Sequence, residues 1–402
     1  MKNIIIFQSL SIIYSIILPT IKLKQNKHYI KVFIGTPPQK FNLLFDLGSS
    51  DFWIYDKESN ESKFNNGFNK NNSISFQKIG YNKEINYLGG YASGLMCLDI
   101  LKLGENTINN FTFLLINETN IENKMDGIVG CNKNLSFIDQ LYNNKIINKK
   151  ILVSDLFNNK VYFGEIPHYL IGNDNISFIN NNKRDWKISI DNMIINNISY
   201  DFSENITEFV IDSGVNGIIF TFSTFEFLRE HFFNKVFEKG ICKIMTILFG
   251  LTSMQFQIQC DERIINEKAF LLNNITLLIG NDYLNITLES LLDKQSFNFD
   301  IYFIQSVFYN IWIIGAQFLE EHPIIFDKDN NIITIYKSNV QLNTENFLKF
   351  RLVINTFIKI TIFLLILLII IVSCYLINQT RTSQKINQNV IEKKILKYTS
   401  FV

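Results

Sequence analysis

Short apolar runs separated by polar turn residues dominate the middle of the chain, between residues 28 and 340. Runs of this kind, rich in Ile, Val, Phe and Tyr, predict β-strands. The clearest lie at residues 29–34, 41–45, 111–116, 160–163, 209–211, 217–221 and 332–336. Helical periodicity is confined to residues 136–143, 222–237 and 289–294. The pattern therefore predicts an all-β protein with a few short helices.

Both ends of the chain are strongly apolar. Residues 4–18 form an apolar run after one early lysine, which is typical of a secretory signal peptide or signal anchor, assigned to residues 1–19. Residues 352–377, interrupted only by Lys359, are long enough for a transmembrane helix, with a buried core helix as the alternative. The tail at 378–402 is basic, which predicts that it is cytoplasmic. We therefore expect a single-pass type I protein of the secretory pathway or cell-surface membrane, with a lumenal or extracellular middle region.

The charge distribution and the cysteine positions argue against some functions, namely nucleic-acid binding and metal binding. The net charge is +1 and the basic residues are scattered, so we expect no nucleic-acid partner. We find no pair or group of Cys and His with metal-ligand spacing, and we expect no metal. Cys242 and Cys260 are candidates for a disulfide that closes a small loop, whereas Cys97 and Cys131 are expected to be buried thiols.

Two segments repeat one chemical pattern. An aspartate, one further residue and a glycine follow an apolar stretch at Asp46, in FDLGSS, and again at Asp212, in IDSGV. The repetition suggests an internal duplication, with one copy in an N-terminal lobe at 28–165 and one in a C-terminal lobe at 183–340. A single Asp-x-Gly is usually a turn. Two carboxylates brought together, however, can share one proton and activate a water molecule.

The order of further motifs resembles that of the pepsin-like aspartic peptidases. The matching segments are FIGTPPQ at 33–39, DLGSSDFW at 46–53, Tyr87, Asp99, DGIVG at 126–130, VYFGE at 161–165, Trp186, DSGV at 212–215, WIIGA at 312–316 and FD at 326–327. They span nearly all of residues 28–340. The resemblance implies a bilobal β fold in which a polypeptide substrate lies in the cleft between the lobes, beneath a hairpin flap. Together with residues 352–377, it implies a membrane-anchored member of the family.

The resemblance also implies roles for individual residues. Asp46 and Asp212 would be catalytic, with the ionised carboxylate taking a proton from water and the protonated one donating to the peptide oxygen. Trp53 would donate a hydrogen bond to Tyr87 and so position the flap. The full set of residues implied to support the flap and the aspartate pair is Tyr87, Trp53, Ser49, Ser213, Gly48 and Gly214. No cofactor is required, and we expect a monomer.

Three positions depart from the family pattern. Leu47 replaces a threonine whose hydroxyl links the two aspartate loops. Because leucine cannot donate or accept, we expect unpaired backbone groups, at about 1–3 kcal/mol each, and a wider separation of the loops. Val215 replaces a hydroxyl that would bond Asp212, so we expect the pKa of Asp212 to be raised. Leu88 replaces the flap glycine beside Tyr87.

Three functions are compatible with this sequence. The first is an aspartic endopeptidase, and the second is a catalytically weak or inactive pseudoprotease that uses the cleft to bind a peptide or partner. The departure at Leu47 favours the second, whereas the retention of both aspartates favours the first. The third is an unrelated β-rich adhesin, which predicts that Asp46 and Asp212 lie far apart.

Overall fold

Strands account for most of the regular secondary structure that the computed structural model describes. The described residues are 15–22, 27–59, 66–121, 125–180, 182–195, 198–200, 208–249, 253–293, 296–305 and 312–337. Within these ranges, no helix is both long enough and apolar enough to cross a membrane. The predicted transmembrane segment 352–377, the tail 378–402 and residues 1–14 of the predicted signal segment lie outside the described residues, so those assignments stay predictions.

The elements follow one another with short connections. The strands of the first half are β1 (Ile16–Lys22), β2 (His28–Ile34), β3 (Gln39–Asp46), β4 (Phe52–Tyr55), β5 (Gln77–Tyr87), β6 (Gly90–Leu103), β7 (Asn106–Thr119), β8 (Gly127–Gly130), β9 (Ile151–Asp155), β10 (Lys160–Phe163) and β11 (Asn175–Ile179). Those of the second half are β12 (Lys187–Ser189), β13 (Asn192–Ile195), β14 (Ile198–Tyr200), β15 (Glu208–Ile211), β16 (Ile218–Phe220), β17 (Cys242–Phe249), β18 (Ser253–Cys260), β19 (Asn274–Ile279), β20 (Asp282–Thr287), β21 (Leu292–Asp293), β22 (Asn298–Gln305), β23 (Trp312–Ile314), β24 (Ile324–Asp327) and β25 (Ile332–Tyr336).

The helices are short. The α-helices are α1 (Phe137–Asn143), α2 (Phe222–Leu228), α3 (Asn234–Glu238), α4 (Lys268–Leu271) and α5 (Ala316–Glu321). A π-helical turn at Arg229–Phe233 joins α2 to α3, and single 3-10 turns lie at Lys70–Asn72, His168–Leu170 and Glu262–Asn266. The predicted helix at 289–294 is wrong. Leu288, Leu291 and Leu292 are buried at helical spacing, but the chain makes a turn there, and Leu292 then pairs with Phe299 in a strand.

The same strand arrangement occurs in both halves, and the protein is bilobal and mostly β. In the first half β3 runs parallel to β8, and β4 runs antiparallel to β8 and parallel to β7. In the second half β15 runs parallel to β23, and β16 runs antiparallel to β23 and parallel to β22. Asp46 ends β3, and Asp212 follows β15 directly. The duplicated topology therefore gives the two aspartates equivalent positions.

The described strands form three sheets. The largest has the order β11-β25-β24-β9-β10-β1-β2-β3-β8-β4-β7-β6-β5, so strands from the end of the chain extend a sheet of the first lobe. The second has the order β12-β15-β23-β16-β22-β18-β17, with β21 paired to β22, and the third has the order β14-β13-β19-β20. One apolar cluster joins both halves, and it includes the buried Trp186 and Phe326, whose ring centroids are 5.0 Å apart.

The first described strand begins before the predicted lobe boundary at residue 28. Ile16, Leu18 and Thr20 are buried, and the intervening side chains are exposed, so β1 has the alternation of a strand with one face in the core. β1 pairs antiparallel with β10 and then with β2. β1 therefore lies before the predicted lobe 28–165 and overlaps the predicted signal segment 1–19. The apolar run that precedes β1 in the sequence conceals this alternation.

Candidate active site

Asp46 and Asp212 meet where the two lobes face each other. Asp46 is 4% exposed, and its carboxyl group lies beside that of Asp212, because a Cβ added at Gly214 would be 2.9 Å from Asp46 Oδ1 and 3.0 Å from Asp212 Oδ1. Asp46 ends β3, which runs parallel to β8, and Asp212 follows β15, which runs parallel to β23. These two strand pairs place both side chains at this point. The structure therefore brings together the pair of carboxylates that the sequence nominated, and the chance-motif alternative, in which they lie far apart, does not describe this chain.

Gly48 and Gly214 are required by the close approach of the two loops. A Cβ at position 48 would lie 2.3 Å from Asp212 Cγ, and one at position 214 would lie 2.9 Å from Asp46 Oδ1. Real Cβ atoms do not make contacts this short. In addition, the Gly48 N–H donates to Asp46 Oδ1 at 3.0 Å and the Gly214 N–H donates to Asp212 Oδ1 at 2.7 Å. Each glycine thus lets its loop pass against the opposite carboxyl group.

Ser213 links the two loops through the backbone of the opposite lobe. Its hydroxyl accepts the Leu47 N–H at 2.9 Å and donates to the Phe45 carbonyl at 2.7 Å. Leu47 is fully buried in the main apolar cluster. The expectation that Leu47 separates the loops is therefore wrong, because its side chain packs into the core while its backbone keeps the link. The reciprocal half of the link is lost, since leucine has no hydroxyl to offer the loop of Asp212.

Two hydrogen bonds lie between the flap and Asp46. Trp53 Nε1 donates to Tyr87 Oη at 2.8 Å, and the Ser49 hydroxyl donates to Asp46 Oδ2. Ser49 is also a neighbour of the Tyr87 hydroxyl. Burial, and next the charge of Asp46, raise the pKa of Tyr87. The Tyr87 hydroxyl therefore keeps its proton, and can donate a hydrogen bond, at acid and neutral pH.

The two carboxyl groups have different electrostatic surroundings. Loss of hydration in the cleft raises the pKa of Asp212 well above its ordinary value, and the charge and hydrogen bond of Asp46 raise it further. The Gly214 N–H and the charge of Lys27 act in the opposite direction. The direction agrees with the prediction made from Val215, but dehydration is the main cause. Asp46 meanwhile accepts two protein donors. Burial and the neighbouring Asp46 therefore favour the protonated form of Asp212.

Sequence comparison agrees with this geometry. Residues 27–337 match the family model described as eukaryotic aspartyl protease. The chain belongs to this family. Among its curated relatives, cathepsin D of Gallus gallus is 25% identical over 344 residues, covering 77% of this chain and 80% of the relative. Chymosin of Bos taurus is 23% identical over 338 residues, covering 78% and 81%. Pepsin II-1 of Oryctolagus cuniculus is 22% identical over 332 residues, covering 76% and 79%.

Lys27 is a charged residue near the aspartate pair of this aspartyl protease that no sequence motif indicated. Its side chain is half-buried, and burial lowers its pKa while the charges of Asp212 and Asp46 raise it. The lysine thus contributes positive potential at the aspartate pair. No local pattern could have identified it, because a lysine just before a strand is ordinarily a solvated residue.

The remaining nominated residues have structural roles in the aspartyl protease fold. Asp126 accepts the backbone N–H groups of Asn42 at 2.7 Å and Asn66 at 2.9 Å. Cys242 and Cys260 form a disulfide across the β17–β18 hairpin. In the part of the chain that the structure describes, Cys97 and Cys131 are free and buried, and no cluster of three or more His, Cys, Asp or Glu residues could hold a metal ion.

Proposed function

We propose that this chain is an aspartic endopeptidase that hydrolyses peptide bonds with Asp46 and Asp212. The observation that carries the proposal is the adjacent pair of carboxyl groups, both of which lie against Gly214, with the pKa of Asp212 raised by burial and by Asp46. Such a pair holds one proton over a useful pH range, which supplies a general base and a general acid side by side. Membership of the aspartyl protease family supports the same conclusion.

The proposed mechanism uses a water molecule between the two carboxyl groups. The Asp46 carboxylate takes a proton from this water as its oxygen attacks the peptide carbonyl carbon, and Asp212 donates its proton to the carbonyl oxygen. The tetrahedral product then collapses. The C–N bond breaks, the nitrogen receives the proton held by Asp46, and Asp212 regains its proton from the hydroxyl. The pair ends in its starting state, and the flap above it excludes bulk water.

The direct experiment measures cleavage of an unfolded protein substrate by the purified chain from about pH 3 to about pH 8, the range over which such a pair could titrate. We expect acid-favoured cleavage that a statine-type transition-state analogue blocks. Asp46→Asn and Asp212→Asn serve as controls, and both should be inactive while remaining folded. Absence of cleavage by the folded parent over the whole range would refute the proposal.

A second candidate is a pseudoprotease that binds a peptide or partner in the cleft. Its specific support is the one-sided loop link, in which Ser213 reaches the backbone of Leu47 but receives no hydroxyl in return. Peptide binding that is unchanged in Asp46→Ala, together with no turnover by the parent, would favour this candidate. Turnover blocked by the transition-state analogue would exclude it.

We also propose a membrane-anchored monomer of type I topology, in the secretory pathway or at the cell surface, supported by the apolar segments at both ends. In intact microsomes, added protease should digest the tail at 378–402 and spare the lumenal domain. Since Ile16 and Leu18 belong to the core, we expect any removal of the N-terminal segment to occur before Ile16. N-terminal sequencing of the membrane-bound protein tests this, and a mature terminus at residue 20 would contradict it.

A further inference from the structure

The flap of this protein has polar contacts at its stem and an apolar side chain at its tip. Tyr87 ends β5 and Gly90 begins β6, so the turn consists of Leu88 and Gly89. The stem is attached to the N-terminal lobe, because Lys83 forms an ion pair with Asp51 and Tyr87 accepts the hydrogen bond from Trp53. Neither of these stem contacts holds the tip itself.

The tip packs on the opposite lobe. Leu88 is half-buried against a small apolar cluster of the C-terminal lobe, which we call the C-terminal patch. Its buried members come from β16, β22 and β23, and two partly buried valines border it. The patch consists of Ile219, Tyr302 and Ile313, with Val210 and Val215. The contact therefore spans the cleft from one lobe to the other, beside the loop that carries Asp212.

Two departures from the family pattern meet at this contact. Leu88 stands where the resemblance expects a glycine, which has no side chain to reach the patch. Val215 stands where it expects a hydroxyl, which would put a polar group at the border of the patch. Both changes increase the apolar surface that closes the cleft, and both residues pack against the same small cluster. The Leu88 side chain is therefore shielded from water only while the flap is closed.

We propose that Leu88 and the C-terminal patch form an apolar latch that holds the flap closed over Asp46 and Asp212 in the free protein. Leu88 is then a positioning residue, because it acts on the reaction through the flap and through Tyr87. A substrate reaches the aspartates only after Leu88 leaves the patch. About half of the transfer free energy of a leucine side chain corresponds to a roughly fivefold to tenfold bias toward the closed flap.

The decisive experiment measures the distance between the flap and the C-terminal lobe with spin labels. The labels are attached at Asn86→Cys on β5 and Lys235→Cys on α3, both of which are exposed positions. The parent should give one narrow distance distribution. Leu88→Ala, which removes the reach of the side chain without the backbone freedom of glycine, should give a broader distribution that extends to longer distances. Leu88→Met, which conserves the volume, should restore the narrow one.

The patch side provides an independent variant. Val215→Thr places a hydroxyl at the border of the patch at nearly constant volume, and it should broaden the distribution in the same direction. Both changes act on one contact. The distance distribution of the double variant, Leu88→Ala with Val215→Thr, should therefore be no broader than that of the more affected single variant. A narrow distribution in Leu88→Ala that matches the parent would overturn the latch, and so would additive broadening in the double variant.

The kinetic consequence rests on the proposed peptidase function. If the substrate must first open the latch, Leu88→Ala should lower KM by about fivefold to tenfold, because a larger fraction of the molecules is competent to bind. In contrast, kcat should not rise with it. An unchanged KM beside a broadened distance distribution would show that the latch does not gate the substrate. Absence of cleavage in every form would refute the peptidase function alone, since the distance measurement decides the latch without any turnover.

Discussion

The link between the aspartate loops depends on one hydroxyl group, and Ser213→Ala removes it. In the parent this hydroxyl satisfies two backbone groups of the opposite loop, the Leu47 N–H at 2.9 Å and the Phe45 carbonyl at 2.7 Å. Ser213, Leu47 and Phe45 are each fully buried, so solvent water does not take the place of the lost partner. Leu47 cannot compensate from its own side chain. The variant therefore leaves a donor and an acceptor unsatisfied in the core.

The size of the effect follows from these two groups. A buried polar group without a partner costs about 1–3 kcal/mol, so two such groups should lower the free energy of unfolding by about 2–6 kcal/mol. For a protein of this size, each kcal/mol lowers Tm by roughly 2–4 °C, which places the fall in Tm at about 4–24 °C. Activity should fall further than stability, because a displacement of about 1 Å between the carboxyl groups can reduce the rate on the order of a hundredfold.

The assay is urea unfolding of the parent and Ser213→Ala at one pH, with the slope m compared before the midpoints. The matched control is Ser177→Ala, because the Ser177 hydroxyl is exposed and its partners, Thr334 Oγ1 at 2.7 Å and Asn175 Oδ1 at 3.4 Å, also lie on the surface. The control should change stability by less than about 0.5 kcal/mol. A loss below about 1 kcal/mol in Ser213→Ala at unchanged m would show that the hydroxyl does not carry the link.

Three further predictions concern titration and packing. Asp212 has a raised pKa, so its contribution to stability is present below pH 3.8 and is lost as the pH rises through its value in the folded protein. Asp212→Asn should therefore be more stable than the parent at neutral pH and equal below about pH 4, and parallel Tm curves would contradict this. His322 is buried, its Nδ1 bonds the Tyr336 carbonyl at 2.9 Å, and burial lowers its pKa. The stability of the parent should therefore fall as the pH drops below 6.5. In His322→Asn, Tm should fall less steeply with decreasing pH than in the parent. An equally steep fall in both proteins would refute this. Gly48→Ala places a Cβ 2.3 Å from Asp212 Cγ and should abolish cleavage, whereas Gly104→Asn, at a φ of +58° with open space around it, should retain it; activity in Gly48→Ala would contradict the loop geometry.

Much of the fold could be predicted from the sequence, because most of the strands are indicated by residues that are neighbours in the chain. The strands at 29–34 and 332–336 are recognised by β-branched and aromatic residues between turns, and both occur in the structure. β1 was missed because its alternation continues an apolar run that resembles a targeting segment. The false helix at 289–294 had buried leucines at helical spacing, but pairing with β22 overrode the local preference.

The candidate site was predictable only as far as its motifs extend. Asp46, Asp212 and Ser213 lie in a repeated pattern, and their proximity follows from the duplication of that pattern. The consequence of Leu47 was predicted wrongly, because the space available to its side chain is set by core packing, which the sequence does not display. Lys27 and the patch under Leu88 were missed for the same reason, since residues far apart in the chain create both.

The pairing of β24 with β9 has a consequence for synthesis of the chain on the ribosome. Ile324–Asp327 lies beside Ile151–Asp155, so a strand made early waits for a neighbour made near the end of the described region. Until then, β9 presents an open edge of unpaired N–H and C=O groups that can pair with another chain. Such non-local contacts also slow folding, because the intervening loop must close first. A nascent chain that stops before β24 would thus carry both aspartate motifs and still be prone to aggregation.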